Sequence, residues 1–286
     1  MKLVKTAITA AVSTATIVAI TACGSSSSNS TSFVTKCLPL SVSVPFGGMA
    51  LKTDGNLLIA DGYNGNVLLI DHTTCAESNA TVITGQTAVS VVQDAGDGTV
   101  YVGDGSGNIY SIDNNGTATV LVTAGNSING LRVAPATFGS YAGQLFAATQ
   151  SGVYAIDQRA VSPTPVQLST TACSDIIFDG STTLYAAAPG ESKIYTVEAN
   201  GTVADFNTTV GYVDGLEISD DKSTLYLANS STNKLSSFEI ATKTLTKIAD
   251  VNFDGGYWPS GLVNDHNGFL LMHTGDDNNI TAQPLN

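Results

Sequence analysis

The sequence predicts an all-β fold, a six-bladed β-propeller with four strands in each blade. Short apolar runs with a period of two residues alternate with turns rich in Gly, Asp, Asn and Ser, a pattern typical of antiparallel strands. The pattern recurs roughly every forty residues, which is the period of a propeller blade. Charged residues make up only 12% of the chain and 28 residues are Gly, a composition that disfavours a helical fold.

Residues 1–22 are predicted to be a lipoprotein signal peptide. Two lysines precede an apolar stretch at residues 7–20, which is too short for a permanent transmembrane helix. The stretch ends in Ile20-Thr21-Ala22-Cys23, which resembles the bacterial lipobox. The resemblance implies cleavage before Cys23, a diacylglycerol on its sulfur and a fatty acid such as palmitate on its new amino group. The alternative is an ordinary secretory signal in which the cysteine is incidental.

Residues 23–31 follow as a lipidated cysteine and a Ser-rich, uncharged tether, a composition typical of flexible linkers. Two or three acyl chains anchor a protein stably, so we expect the lipid bilayer to be a partner and the cell envelope to be the location. Gly24 after the cysteine favours the outer membrane in a Gram-negative cell, facing the periplasm or the cell surface. The formal net charge of −13 argues against nucleic acid as a partner.

Residues 32–286 are predicted to form the propeller as one domain. The second strands of the six repeats are predicted at residues 57–59, 100–102, 145–147, 184–186, 225–227 and 269–271. The third strands are predicted at 67–70, 109–112, 153–156, 194–197, 235–238 and 280–282. Outer fourth strands are predicted at 81–84, 118–122, 165–168, 203–206 and 245–249.

The sixth repeat stops after its third strand, and a spare strand at residues 32–38 precedes the first repeat. We therefore expect the spare strand to pair with residues 280–282, complete the last blade and remove an exposed sheet edge. This arrangement puts Cys37 and Cys75 in neighbouring blades and Cys173 on the far side of the ring. A Cys37–Cys75 disulfide is then the one candidate bond, but the expected strands put these cysteines at opposite ends of their blades, so the pairing stays open.

Ligand-binding residues are predicted at the mouth of the central channel, where the chain enters each innermost strand. One residue from each repeat lies there: Gly47, Thr87, Asn129, Ser174, Asp214 and Ser260. Asp175 adds a second carboxylate, and Trp258 adds an aromatic wall. Carboxylate and amide oxygens suit a hard cation such as Ca²⁺, with Asn129, Asp175 and Asp214 as the candidate ligands. The alternative is that these side chains only cap the inner strands.

The repeat also resembles a known family. The sequences DGLEISD at residues 214–220 and LYLA at residues 225–228 are similar to the repeat of the gluconolactonase/regucalcin propellers, and to the NHL repeat. The former resemblance implies a divalent-metal-dependent hydrolase, with metal ligands at the inner-strand entrances. Its Asn-Gly motif matches Asn129–Gly130 or, by the more similar blade, Asp214–Gly215.

Two positions depart from the family pattern. Its Pro-Asp-Gly motif falls on PSG at residues 259–261, where Ser260 replaces the carboxylate, and its first-blade Glu has no counterpart in FGG at residues 46–48. Two functions follow: a propeller that binds a small molecule or an envelope protein at its mouth, or a divalent-metal hydrolase with a partly altered site. Convergence of Asn129, Asp175, Asp214 and His273 would favour the second.

The lipobox predicts that Cys23→Ser moves the protein into the soluble envelope fraction, because the substitution removes the sulfur that carries the lipid. Fractionation followed by a high-salt wash and immunoblotting measures the change. A variant that stays with washed membranes would show that something other than Cys23 anchors the protein.

Overall fold

The computed structural model describes residues 36–38, 40–41, 47–62, 64–83, 85–93, 97–207, 209–251, 261–274 and 279–285. Their strands form six antiparallel sheets of four strands each, so the predicted six-bladed propeller is confirmed. Each blade is a meander in which every strand pairs with the next along the chain, except that the last blade takes its outermost strand from the N-terminal side.

The strands are numbered in chain order, beginning with β1 (Leu40–Ser41). Blade 1 contains β2 (Met49–Leu51), β3 (Leu57–Ala60), β4 (Asn66–Ile70) and β5 (Glu77–Val82). Blade 2 contains β6 (Ala88–Gln93), β7 (Val100–Asp104), β8 (Asn108–Ile112) and β9 (Ala118–Thr123). Blade 3 contains β10 (Ile128–Val133), β11 (Leu145–Thr149), β12 (Gly152–Ile156) and β13 (Val166–Ser169).

Blade 4 contains β14 (Asp175–Phe178), β15 (Thr183–Ala188), β16 (Lys193–Glu198) and β17 (Val203–Asn207). Blade 5 contains β18 (Gly215–Ile218), β19 (Thr224–Asn229), β20 (Lys234–Glu239) and β21 (Thr244–Asp250). Blade 6 contains β22 (Leu262–Asn264), β23 (Phe269–Thr274) and β24 (Asn279–Pro284), completed by β1. Short 3₁₀ turns lie at Gly139–Tyr141 and Pro189–Glu191. No helix in the described part of the chain is long and apolar enough to cross a membrane.

The predicted second and third strands all lie inside observed strands, but one fourth strand was misplaced. In blade 1 the outer strand is β5 at Glu77–Val82, and residues 81–84 cover only its end. The polar sequence ESNA in the first half of β5 hid the strand from a search for apolar alternation. Because an outermost strand has one face and one edge in solvent, it does not need an apolar pattern to pair.

The N-terminal strand closes the ring as predicted, but it lies later in the chain. β1 pairs antiparallel with β24, with Leu40 opposite Ile280 and Ser41 opposite Asn279. The expected strand at residues 32–38 is wrong for Lys36 and Cys37, which are helical, and residues 32–35 lie outside the described part of the chain. In the sequence, Pro39 lacks the N–H that a residue donates to a ladder, which disfavours one paired strand running from residue 32 through Leu40.

This later start resolves the expected mismatch between the two cysteines. Cys37 and Cys75 form a disulfide, with 5.3 Å between their Cα atoms. Cys75 lies in the turn from β4 to β5, at the end of blade 1 opposite the channel mouth. Cys37 precedes β1 in the chain, so it lies at the end of blade 6 opposite the mouth, which is also the end where Cys75 lies.

The core consists of six apolar clusters, one between each pair of neighbouring blades. Alternate residues of one strand face opposite directions, so one strand can contribute to two clusters. In β11, Phe146 packs toward blade 4 while Leu145 and Ala147 pack toward blade 2. Between blades 3 and 4, Phe146 and Phe178 meet edge to face with ring centroids 5.1 Å apart. The blades are thus held to each other by side chains, not by a continuous sheet.

Deleting residues 32–41 should lower the melting temperature and broaden the transition, because it removes β1 and leaves β24 as an unpaired edge. Deleting residues 24–31 instead is the matched control, since it shortens the tether but keeps β1 and Cys37. Calorimetry of both variants measures the difference. Identical, sharp transitions would contradict a ring closed by its N-terminal strand.

Candidate functional site

The central channel is lined by the innermost strand of each blade, β2, β6, β10, β14, β18 and β22. We call the end at which the chain enters these strands the mouth. Each inner strand lies in the middle of the ring, so a polar side chain at its start can reach the neighbouring blade as easily as it can reach solvent. The predicted site residues therefore differ in whether they contact the neighbouring blade or face solvent.

Asn129 and Ser174 bind the next blade. The Asn129 side-chain amide donates to the carbonyl of Cys173 over 2.9 Å, which joins blade 3 to blade 4. The Ser174 hydroxyl donates to the carbonyl of Val213 over 2.7 Å, which joins blade 4 to blade 5. Ser174 is buried, whereas Asn129 keeps part of its surface at the channel. Both predicted mouth residues therefore fasten neighbouring blades together.

Asp175 is a buried carboxylate at the start of β14. It accepts hydrogen bonds from the backbone N–H groups of Ile176, over 2.8 Å, and of Leu216 in blade 5, over 2.9 Å. Gly130 lets it lie there, because a Cβ atom at that position would come within 2.5 Å of the Asp175 carboxylate. Burial raises the pKa of Asp175, opposed by the nearby Arg132 guanidinium and the backbone donors.

Asp214 is also buried, and it binds within its own blade. Its carboxylate accepts hydrogen bonds from the Ser230 N–H, over 3.0 Å, and from the Ser230 hydroxyl. Burial raises the pKa of Asp214, and the two donors from Ser230 oppose that rise. The turn between β19 and β20 is therefore fixed to the entrance of β18 by this carboxylate.

The other predicted mouth residues contribute differently. Gly47 is buried against blade 1, where a Cβ would come within 1.8 Å of the Ala60 carbonyl. Thr87 is half-buried, and its carbonyl accepts from the N–H of Gly105 over 3.2 Å. His273 is buried in β23, and burial lowers its pKa to about 4, so the ring is neutral at ordinary pH. Trp258 and Ser260 lie outside the described residues.

A metal site needs several ligands close together. Among the residues that the structure describes, no three His, Cys, Asp or Glu side chains are grouped so that they could hold a metal ion. Asp175, Asp214 and His273 are thus not brought together as a metal cluster. The calcium-binding set of Asn129, Asp175 and Asp214 stays a prediction, and the polar groups of all three already make internal hydrogen bonds.

Sequence reasoning missed Arg132 and Glu217, which form a charged cluster with Asp175. The Arg132 guanidinium donates to the carbonyls of Leu131, over 3.0 Å, and of Leu216, over 3.4 Å, and lies 3.6 Å from the Asp175 carboxylate. It therefore reaches from blade 3 to blade 5. Burial raises the pKa of Glu217, while Arg132 acts to lower it. The available signal was a charged residue inside each of two inner strands, Arg132 in β10 and Glu217 in β18.

Above Arg132 lies a small cavity of about 20 Å³, lined by residues of five blades. Ser90, Asn129, Arg132 and Asp175 give it polar groups, and Gly48 and Gly130 leave the space open. A volume of this size holds about one water molecule. This cavity therefore offers hydrogen-bonding groups, and it has room for about one water molecule.

Comparison with known proteins bears on the fold and the family. The family model described as SMP-30/gluconolactonase/LRE-like region matches residues 44–282. The chain belongs to this family. The match covers all six blades, in agreement with the sequence resemblance of the repeats to gluconolactonase/regucalcin propellers. A search of curated proteins found no match.

Solved structures share the fold at low identity. A chain in the crystal structure of a mitotic checkpoint complex is 12% identical, with 96% of this chain and 86% of that chain covered and a TM-score of 0.63. Virginiamycin B lyase from Staphylococcus aureus is 14% identical over 86% of this chain and 87% of that chain, with a TM-score of 0.59. A Bacteroides thetaiotaomicron protein of unknown function is 11% identical over 85% and 71%, with a TM-score of 0.62. These likenesses show a common propeller and no more.

The charged cluster predicts that Arg132→Met destabilises the protein by about 3 kcal/mol near neutral pH, because two half-buried or buried carboxylates lose their cation. Folding raises the pKa of Asp175 above its ordinary 3.8 and that of Glu217 above its ordinary 4.5. Each carboxyl therefore adds to the free energy of unfolding at a pH below its ordinary pKa, and this contribution is lost as the pH rises through the raised pKa. The free energy of unfolding that Arg132→Met loses should therefore be larger at about pH 7.5 than at about pH 5, as measured by urea unfolding.

The matched control for this experiment is Arg159→Met, which removes an exposed guanidinium that pairs with Asp157. It should change the free energy of unfolding little at either pH. An equal loss of stability at both pH values in Arg132→Met would contradict an electrostatic role and indicate lost packing of the side-chain stem instead.

Proposed function

We propose that this member of the gluconolactonase-like family is a lipid-anchored envelope protein whose propeller binds a ligand at the channel mouth without hydrolysing it. The ligand class is a small polar molecule or a segment of an envelope protein that meets the polar groups around Asn129 and Asp175. The anchor is the lipid on Cys23, as the lipobox indicates.

The observation that carries this proposal is the use of the Asp214 carboxylate. The resemblance to gluconolactonases makes the inner-strand entrance a position for metal ligands, with Asp214–Gly215 as one match. Here one carboxylate oxygen of Asp214 accepts both the N–H and the hydroxyl of Ser230. A cation would have to compete with these bonds in a buried site. The carboxylate is therefore better suited to fixing the entrance of β18 than to holding a catalytic metal.

The other positions that the resemblance assigns to metal ligands support the same conclusion. The Asn129 amide nitrogen is bound to the Cys173 carbonyl. Ser260 stands where the family has an Asp, and FGG at residues 46–48 stands where the family has a first-blade Glu. Two of the carboxylates that would bind and activate a metal-bound water are thus absent from the sequence, so the hydrolytic chemistry lacks its ligands.

A divalent-metal-dependent lactonase is the second candidate, because the family match covers residues 44–282. It would use Asn129, Asp175 and Asp214 as ligands for a cation such as Ca²⁺. In that case the internal hydrogen bonds of Asp214 would have to give way when the metal binds. The two candidates therefore differ in one measurable quantity, the response of the protein to divalent cations.

We expect millimolar Ca²⁺, Mg²⁺ or Zn²⁺ to change the melting temperature of the wild type little, and gluconolactone to be bound or ignored but not turned over. A cation at a hundred times its Kd would add roughly 2.7 kcal/mol of stability, an easily measured shift. Asp214→Ala should lower stability by about 1 to 3 kcal/mol, because Ser230 loses its acceptor, whether or not a cation is present.

Differential scanning fluorimetry with each cation, calorimetric titration with gluconolactone and gluconate, and a lactone hydrolysis assay make the measurements. The matched variant Asp214→Asn keeps an acceptor for Ser230 while removing the charge. A strong, selective cation shift that both variants abolish, together with lactone turnover, would overturn the binding proposal in favour of hydrolysis.

A further inference from the structure

Side-chain hydrogen bonds cross the five junctions between blades that follow each other along the chain. At each of those five, a side chain of one blade donates to a backbone carbonyl of its neighbour. The five bonds are Thr81 to Gly116, Ser90 to Ile128, Asn129 to Cys173, Ser174 to Val213, and Asn264 to Ile218. At the junction of blades 6 and 1, the described residues contribute apolar packing and the disulfide.

The strand that spans this junction comes from the N-terminal side of the chain. In the described residues, β1 pairs with β24 through Leu40 opposite Ile280 and Ser41 opposite Asn279. As the outermost strand of blade 6, β1 is joined to its sheet along one edge.

The disulfide joins the same segment to blade 1. Three residues before β1, Cys37 is buried in the cluster that blades 6 and 1 share, next to Ile280 of blade 6 and Ile70 of blade 1. Its bond to Cys75 connects this segment covalently to the turn between β4 and β5. One short segment is thus paired with blade 6 and bonded to blade 1, on both sides of the junction.

The turn that carries Cys75 is built to hold it. The Asp71 carboxylate accepts the N–H groups of Thr73, over 2.8 Å, and Thr74, over 2.7 Å, and the Cys75 N–H donates to the Asp71 carbonyl over 2.8 Å. Cys75 has a φ of 60°, a left-handed conformation that a non-glycine residue adopts at a cost. The fold maintains that conformation, and it presents the sulfur to Cys37.

The bond can also be reached from solvent. Cys75 is half-buried, and its neighbours Thr73, Thr74 and Ala76 are exposed. Solvent access distinguishes labile or regulatory disulfides from inert structural ones. The chain's third described cysteine, Cys173, is a buried thiol far from this turn, and burial raises its pKa to about 12. It is therefore a poor nucleophile and would not exchange readily with the disulfide.

We propose that the Cys37–Cys75 disulfide is a redox-sensitive latch that keeps the propeller ring closed. A dithiol reductant, of the class carried by thiol–disulfide oxidoreductases, attacks one sulfur and forms a mixed disulfide. Its second thiolate then displaces that sulfur, so the reductant leaves as a disulfide and Cys37 and Cys75 become thiols. After reduction, blades 6 and 1 lose this covalent bond, and in the described residues the pairing of β1 with β24 and the apolar cluster still join them. The junction then opens before the rest of the ring, independently of what the mouth binds.

The test uses the mature chain with Cys23→Ser, so that Cys37, Cys75 and Cys173 are its only cysteines. Mass spectrometry after alkylation should find one thiol in the denatured protein before reduction and three after it. Reduction should lower the melting temperature on the order of 10 °C, from the loop that the bond closes and the size of the domain. The variant Cys37→Ser/Cys75→Ser should melt at the reduced protein's temperature and not respond to the reductant.

Amide hydrogen exchange well below the melting temperature separates a latch from a general cross-link. In the reduced protein, exchange should rise at least several-fold in β2 and β24, which border the junction, and stay unchanged in β14 and β15 across the ring. Two results would overturn the proposal. One is alkylation of Cys37 and Cys75 in the unreduced protein; the other is an exchange increase that is spread evenly over the six blades or absent.

Discussion

Closure of the ring between blades 6 and 1 is the constraint on which the rest of the structure depends. Within each blade the backbone hydrogen bonds form a ladder, whereas neighbouring blades are joined by side chains, which contact each other and the backbone of the next blade. Five junctions join blades that also follow each other along the chain, so they are held near each other by covalent connection. At the sixth, β1 leads along the chain into β2 of blade 1, so the ring closes through the pairing of β1 with β24 and through the bond between Cys37 and Cys75.

The same requirement explains why polar residues at the channel mouth act as fasteners. Inner strands have a free edge toward the channel, so their backbone carbonyls and N–H groups need partners that a sheet cannot provide. Asn129, Ser174 and Asp175 supply those partners to the next blade. A residue of this kind has the chemistry of a ligand-binding group and a structural task at once, since a buried polar group left without a partner costs free energy.

The sequence allowed the blades to be counted but not the fasteners to be recognised. Second strands such as β19 are apolar and buried on both faces, so their sequence pattern identified them. The strand β5 is largely exposed and polar, so its sequence pattern did not. The described β1 follows Pro39 in the chain, and this position of β1 is what allows Cys37 and Cys75 to meet. The hydrogen bond between Asp214 and Ser230 joins the entrance of an inner strand to a turn sixteen residues later. Sequence periodicity does not predict that Ser230 is the partner of Asp214. The Arg132 side chain contacts the Leu216 carbonyl two blades away, and only the closed ring brings these two groups together.

Arg132 also limits what the channel can do under the proposed function. Its guanidinium reaches from blade 3 to the Leu216 carbonyl of blade 5, beneath a cavity with room for about one water molecule. Under the proposed function, a ligand therefore meets Asn129 and the polar groups around it from the mouth. Moving a charged guanidinium out of this cluster would leave Asp175 without its cation in a buried position, which is costly. Arg132 is consequently held at this position by the two carbonyls and the carboxylate that it contacts.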